Sequence, residues 1–151
     1  MGMEASGGQD DGKTMRKRKA IIVDIDGTLA KMCDRTPFEY NKAINDEVHP
    51  HIVKIIEMFE DKHFILLVTG RDEECKDVTE NWLIKKGVPF DDLFMRPKGN
   101  REQDSIIKQR IYEEKIQGKY EVVFALEDRD QVVKMWRGIG LPCLQVAEGN
   151  F

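Results

Sequence analysis

The sequence predicts an α/β fold: a Rossmann-like parallel sheet of about five strands, with helices on both faces and no large cap domain. Three observations predict it. Short continuous apolar runs recur at Ala20–Val23, Phe64–Val68 and Val122–Leu126, as expected of strands buried on both faces. Segments with helical apolar spacing separate them, and this alternation argues for a parallel sheet. Each run also ends in a polar cluster: Asp24-Ile25-Asp26-Gly27-Thr28, Thr69-Gly70-Arg71 and Glu127-Asp128-Arg129. In a parallel sheet all three clusters share one edge, the carboxyl edge, where such folds bind ligands.

The elements follow in order along the 151 residues, a length suited to one domain. Residues 1–18 are expected to be a disordered tail, since they hold Gly, Ser, Asp and a basic run but no large apolar side chain except methionine. The domain is expected over 19–151. After the first strand, Pro50 suits the opening position of a helix whose apolar residues are Ile52, Ile55, Ile56 and Phe59. The second helix is expected to bury Cys75, Val78 and Trp82 and to stop before Gly87 and Pro89. A weaker strand at Leu93–Met95 precedes a third helix, from about Asp104 through Ile107 and Ile111 to Gly118. The fourth helix carries Val132, Val133 and Trp136, and a last weak strand spans Cys143–Ala147. Only 40 residues separate Thr28 from Thr69, too few for a strand, a helix and a separate lid. An open site that admits large substrates is therefore expected.

Composition excludes several classes. Lys and Arg number 24 against 28 Asp and Glu, a net charge of −4, whereas a dedicated duplex-DNA binder is strongly basic. Through Lys19 the chain has five bases and three acids, so the remainder is more acidic still, at −6. No run of 18 apolar residues and no apolar signal core occurs, so no membrane association and a cytoplasmic location are expected. Three scattered cysteines suit neither a disulfide framework nor a zinc site.

The clusters carry the chemistry. They gather four carboxylates and two guanidinium groups with no histidine or cysteine thiolate, a hard oxygen set that suits Mg²⁺ beside a phosphate. In Asp24-x-Asp26 the two-residue period puts both carboxylates on one side of an extended segment. One can attack phosphorus while the other moves the proton. Gly27 and Thr28 are expected to offer backbone N–H groups to phosphoryl oxygens.

These residues resemble the motifs of the haloacid dehalogenase (HAD) phosphatase superfamily: Asp24-Ile25-Asp26-Gly27-Thr28, Thr69-Gly70-Arg71, Lys108 and Glu127-Asp128. Asp24 to Met32, Arg35, Arg101-Glu102-Gln103 and Glu127 to Arg137 resemble more specifically the 3'-phosphatase domain of bacteriophage polynucleotide kinase-phosphatases, over about residues 19–151. The resemblance implies a HAD fold and a Mg²⁺-dependent polynucleotide 3'-phosphatase acting in nucleic-acid end repair on DNA or RNA. It implies that Asp24 is the nucleophile that forms an aspartyl-phosphate and Asp26 the general acid-base. Mg²⁺ would sit on Asp24, the backbone carbonyl of Asp26 and Asp128, with Glu127 nearby. Thr69, Gly70 and Lys108 would hold the phosphoryl group, with Asp104 orienting Lys108. Arg35, Arg71, Arg96 and Arg129 would reach the phosphate or the strand backbone. A separate kinase or ligase is the implied partner. Glu127 stands where the family commonly has an aspartate, and Thr69 where it has a serine.

Two rival readings are a small-molecule phosphatase on the same scaffold and a non-catalytic module that binds nucleic-acid ends. Other signals carry less. Gly7–Thr14 matches the phosphate-loop pattern without a strand before it, and Gly2 with Ser6 matches an acylation pattern without a second anchor. His49 and His51 read as an exposed turn. Met32, Met58, Met95 and Met135 read as core or loop fillers, Trp82 and Trp136 as core, and Cys33 as inert.

Overall fold

A computed structural model describes residues 17–33, 35, 36 and 38–151. Most of the expected tail, with the phosphate-loop pattern and the acylation pattern, lies outside the described residues. Among the described residues seven strands occur, β1 (Arg18–Val23), β2 (Ala30–Lys31), β3 (Glu47–Val48), β4 (Phe64–Asp72), β5 (Asp92–Arg96), β6 (Tyr120–Glu127) and β7 (Cys143–Gln145), with four α-helices, α1 (Pro50–Phe59), α2 (Lys76–Lys86), α3 (Asp104–Ile111) and α4 (Asp130–Gly138). Among the described residues no helix is long and apolar enough to cross a membrane.

The main sheet has five strands in the order β5-β4-β1-β6-β7, every pair parallel. The alternation of side chains along β1 explains the two layers of helix. Ile21 and Val23 pack with Ile52 and Ile56 of α1 and Trp82 and Leu83 of α2. Ala20 and Ile22 face the other way, toward Ile107 and Ile111 of α3 and Val132, Val133 and Trp136 of α4. The chain moves outward from β1 to β5 and then returns to place β6 on the far side of β1. That reversal puts a topological switch point at the carboxyl ends of β1 and β6, where open α/β sheets hold their ligands. Among the described residues between Val23 and Pro50 the regular structure is the antiparallel pair β2-β3 and a 3₁₀ turn at Tyr40–Asn45, with no cap domain.

Four details depart from the sequence reading. First, β1 begins at Arg18 rather than at Ala20, and the Arg18 guanidinium lies 5.1 Å from the Phe64 ring centroid. Second, α2 buries Thr79, Trp82 and Leu83 rather than Cys75 and Val78 with Trp82. A 3₁₀ turn at Glu73–Cys75 holds Cys75 outside the helix and resets its phase. Third, α3 passes into a π-turn at Tyr112–Ile116. The wider turn returns Ile116 to the core five residues after Ile111, where an α-helix would have turned it away. Fourth, Met58 is 70% exposed and Met32 38%, whereas Met95 and Met135 do pack against the two cores.

Candidate active site

The three polar clusters meet at the carboxyl edge of the sheet, around a cavity of about 680 Å³. Asp24 leaves β1 still hydrogen-bonded to β6, its N–H donating to the Leu126 carbonyl at 3.1 Å. The following turn closes on itself. The Gly27 N–H donates to the Ala30 carbonyl and the Thr28 N–H to the Ile25 carbonyl. The expectation that these two amides stand free for phosphoryl oxygens is therefore corrected: the turn that makes the loop compact uses them. The Thr28 side chain instead lies beneath the cavity, with its hydroxyl directed at Asp24 Oδ2 (3.0 Å) and Asp128 Oδ1 (3.2 Å). Gly27 has φ +86°, and a Cβ built there would lie 2.2 Å from Asp128 Oδ2. Only glycine lets this turn pass so close to that carboxylate.

Lys108 reaches the same point from α3. Its Nζ donates to Asp24 Oδ1 at 2.7 Å and to Glu127 Oε1 at 2.9 Å, and lies 3.5 Å from Asp104 Oδ2 one helical turn earlier. Glu127 Oε2 accepts the Arg129 N–H at 3.2 Å. Both Glu127 oxygens are thus occupied by donors of the chain. The Asp128 carboxylate accepts from Thr28 alone among the described residues.

Charge is unbalanced here. Burial and the neighbouring Glu127, Asp128 and Asp104 carboxylates push the Asp24 proton affinity well above its ordinary value, although Lys108 pulls it down. Glu127 is raised too, chiefly by burial and against the pull of Lys108. Burial opposes the charge on Lys108, but Asp24, Glu127 and Asp104 outweigh it and raise its pKa. Asp24, Glu127 and Asp128 offer oxygens that all lie within 4.8 Å of one another. Such a set of buried carboxylates with one lysine fits a hard divalent cation, which would relieve their mutual repulsion.

Asp26 belongs to a different network. Arg71 Nε donates to its Oδ2 at 3.0 Å and Arg71 Nη2 to its Oδ1 at 2.7 Å, while Arg35 Nη2 donates to Oδ1 at 3.1 Å. Burial would raise its pKa, but the hydrogen bonds and charges of Arg71 and Arg35 more than offset it and hold the carboxyl below its ordinary value. Beneath it lies Asp46, wholly buried, which accepts Arg35 Nη2 at 2.7 Å and faces Arg71 Nη2 at 3.5 Å. Thr79 accepts Arg71 Nη1 at 2.9 Å. The Tyr40 ring covers both guanidinium groups, with centroids 5.7 and 5.8 Å away.

The remaining expected residues are distributed as follows. Thr69 and Gly70 line the cavity, and the Thr69 hydroxyl accepts the Arg71 N–H at 3.1 Å. The Asp104 carboxylate packs against Gly70, where a Cβ would lie 2.1 Å from Asp104 Oδ1. Asp104 faces Arg96 at 3.5 Å and Arg129 at 3.7 Å as well as Lys108. Arg71, Arg96 and Arg129 line the cavity, whereas the Arg35 side chain is wholly covered on Asp26 and Asp46. Arg96 Nε donates to the Gly70 carbonyl at 2.8 Å, and Arg129 Nε to the Phe151 carbonyl at 2.9 Å. Sequence reasoning missed Tyr40, Asp46, Thr79 and Asn100. None belongs to a motif, and only the packing of the 3₁₀ turn on α2 brings Asp46 under the arginines.

Comparison with known proteins agrees with this geometry. Residues 18–151 match the family described as the polynucleotide kinase PNKP phosphatase domain. A protein of Autographa californica nuclear polyhedrosis virus, provisionally named a bifunctional polynucleotide kinase/RNA ligase, is 30% identical over 128 residues, 82% of this chain and 18% of that protein. A chain from the structure of the Pnkp1/Rnl/Hen1 complex superposes with a TM-score of 0.87 at 37% identity, covering 95% of this chain and 50% of that one. A second structure, of the Pnkp1/Rnl/Hen1 RNA repair complex, gives 0.86 at 35%, covering 95% and 48%. The class C acid phosphatase of Bacillus anthracis shares the fold alone, at 16% identity and a TM-score of 0.59 over 78% of this chain and 54% of that one. The chain thus spans less than a fifth of the viral relative and about half of each matched chain in the repair complex.

Proposed function

Because the chain belongs to the polynucleotide kinase PNKP phosphatase-domain family of HAD phosphatases, we propose that it removes the terminal 3'-phosphate from a DNA or RNA end by way of a phosphorylated Asp24. The observation that carries this reading is a buried Asp24 fixed between Lys108 and Thr28 beside the cavity, with a second aspartate two residues on.

In this mechanism an Asp24 carboxylate oxygen attacks phosphorus and the bond from phosphorus to the 3' oxygen breaks. Asp26, protonated from solvent once the incoming phosphate has drawn Arg71 away from it, gives that oxygen the proton. Water then attacks the phosphoryl-aspartate and loses a proton to Asp26, and the phosphorus–Asp24 bond breaks to release phosphate. The paired arginines hold Asp26 ionised, the form that takes the proton from water. An incoming phosphate competes for Arg71 and so loosens that hold. Lys108 offsets charge on Asp24 and the phosphoryl oxygens in the transition state, and Glu127 and Asp104 keep its ammonium in place.

Mg²⁺ would be held by Asp24 and Asp128, with Glu127 anchoring Lys108 beside it. When bound it supplies the positive charge that favours ionised Asp24 and neutralises phosphoryl oxygens. The names of the viral relative and of the repair complex support a place beside polynucleotide kinase and RNA ligase activities.

The test is phosphate release, with Mg²⁺ and then with EDTA, from a 3'-phosphorylated oligonucleotide, a 5'-phosphorylated one and a mononucleotide 3'-phosphate. We expect fast, metal-dependent release from the 3'-ended oligonucleotide and little from the others. Asp24→Asn should lower turnover by about three orders of magnitude, and a loss below about tenfold would overturn the phosphoryl-aspartate route. Equal release from the mononucleotide would favour a small-molecule phosphatase, and no release from any substrate a binding module.

A further inference from the structure

Beyond the phosphoryl pocket the cavity continues to the loop 97–103, which is fixed rather than free. Arg96 ties it down by donating through Nη1 to Asn100 Oδ1 at 3.3 Å and to the Glu102 carbonyl. The Gly99 N–H donates to Asp72 Oδ2 at 2.8 Å, and the Lys98 N–H to Glu73 Oε1 at 3.2 Å. Arg96 is also bonded to the Gly70 carbonyl, so the loop is registered against the strand end that carries Thr69.

Each carboxylate along this wall already faces a donor or a cation of the chain, although Asp104 Oδ1 accepts no hydrogen bond. Glu102 accepts both arms of Arg110, at 2.8 and 2.9 Å, and Asn100 Nδ2 at 2.8 Å. Asp72 accepts the amides of Glu74 and Gly99, and Glu74 faces Lys98 at 3.4 Å. Asp104 is surrounded by Arg96, Arg129 and Lys108. Arg101 is the exception. It lines the cavity, is exposed, and has no acceptor or ion-pair partner among the described residues. A rigid loop thus presents an uncompensated guanidinium to the cavity of a chain whose net charge is −4.

We propose that Arg101 holds the internucleotide phosphodiester next to the terminal nucleotide, and so makes the site prefer polynucleotide ends to mononucleotides. The inference rests on the polynucleotide-end reading of the same site. The cavity volume of about 680 Å³ is that of a small-ligand site rather than of a lone phosphoryl group. With the terminal phosphate at Asp24, the next anion of such a substrate is that phosphodiester. A planar guanidinium grips such a group in bidentate fashion, and on an acidic protein a local cation must offset the repulsion of a polyanion.

The experiment compares wild type with Arg101→Gln on a 3'-phosphorylated oligonucleotide and on a mononucleotide 3'-phosphate, over a range of salt. The ratio of kcat/KM for the oligonucleotide over the mononucleotide should fall by about tenfold, the worth of one charged hydrogen-bond contact. The salt dependence of log KM for the oligonucleotide should lose about 0.7 in slope, the value for one single-strand phosphate contact. Arg101→Lys should recover part of both. An unchanged ratio, whether activity falls on both substrates or on neither, overturns the proposal. If the wild type releases no phosphate, the broader reading fails. Fluorescence anisotropy with the labelled oligonucleotide then decides Arg101 separately: weaker binding by the glutamine variant supports the contact, and equal affinity overturns it.

Discussion

Asp46 shows how one buried side chain sets the behaviour of two others. It is wholly covered and pairs with Arg35 while facing Arg71, and those two arginines hold Asp26. Removing its charge would leave two buried guanidinium groups to share one carboxylate, and stripping one partner from a buried ion network is costly. We expect Asp46→Asn to lower unfolding stability by about 3 kcal/mol, read as a shift in urea midpoint at constant slope. Turnover should drop by about tenfold or more, because both arginines, left with Asp26 alone, would draw it from its place. A variant within about 0.5 kcal/mol of wild type, the range of an ordinary surface change, would mean that Asp26 alone satisfies both arginines.

At the scale of the element, the turn after β1 is the part most constrained by what lies beside it. Its amides bond within the turn, its threonine bridges two carboxylates, and Gly27 occupies both a positive φ and the only space beside Asp128 Oδ2. Gly27→Ala should cost about 1–2 kcal/mol for the left-handed backbone and should also drive Asp128 from its place. The expected result is a folded protein, by circular dichroism, that no longer responds to Mg²⁺. A variant that keeps the full response to Mg²⁺ would show that Asp128 can shift without consequence.

At the scale of the molecule, the buried carboxylates of Asp24, Glu127 and Asp128 belong to strand ends from both sides of the switch point. They come together only in the folded state, so a cation that binds them there must stabilise the fold. Thermal unfolding should shift upward with Mg²⁺, by the equivalent of about 2.7 kcal/mol at a hundredfold excess over Kd. EDTA should reverse the shift and Asp128→Asn should remove it. No shift at millimolar Mg²⁺ would argue against these carboxylates as the cation site.

The sequence by itself determined the layered α/β architecture, because continuous apolar runs and helical periods are local patterns read without knowing what they pack against. It also determined which polar residues meet: Asp24, Thr69, Glu127 and Asp128 follow or close the apolar runs of three strands, and parallel order brings them to one cavity. Tertiary structure decided the rest. The phase of α2 depended on a 3₁₀ turn that no periodicity announces, and the π-turn after α3 depended on a core position for Ile116. What lowers the proton affinity of Asp26, where Arg35 ends and how Lys108 engages Glu127 all turn on contacts between residues 9 to 45 positions apart. Asp46 carries no motif and acquires its role only when the turn that precedes it docks on Trp82, whose Nε1–H donates to the Asp46 carbonyl at 2.8 Å. Burial and pairing energies are properties of the assembled neighbourhood, and they are fixed only when the chain has closed around it.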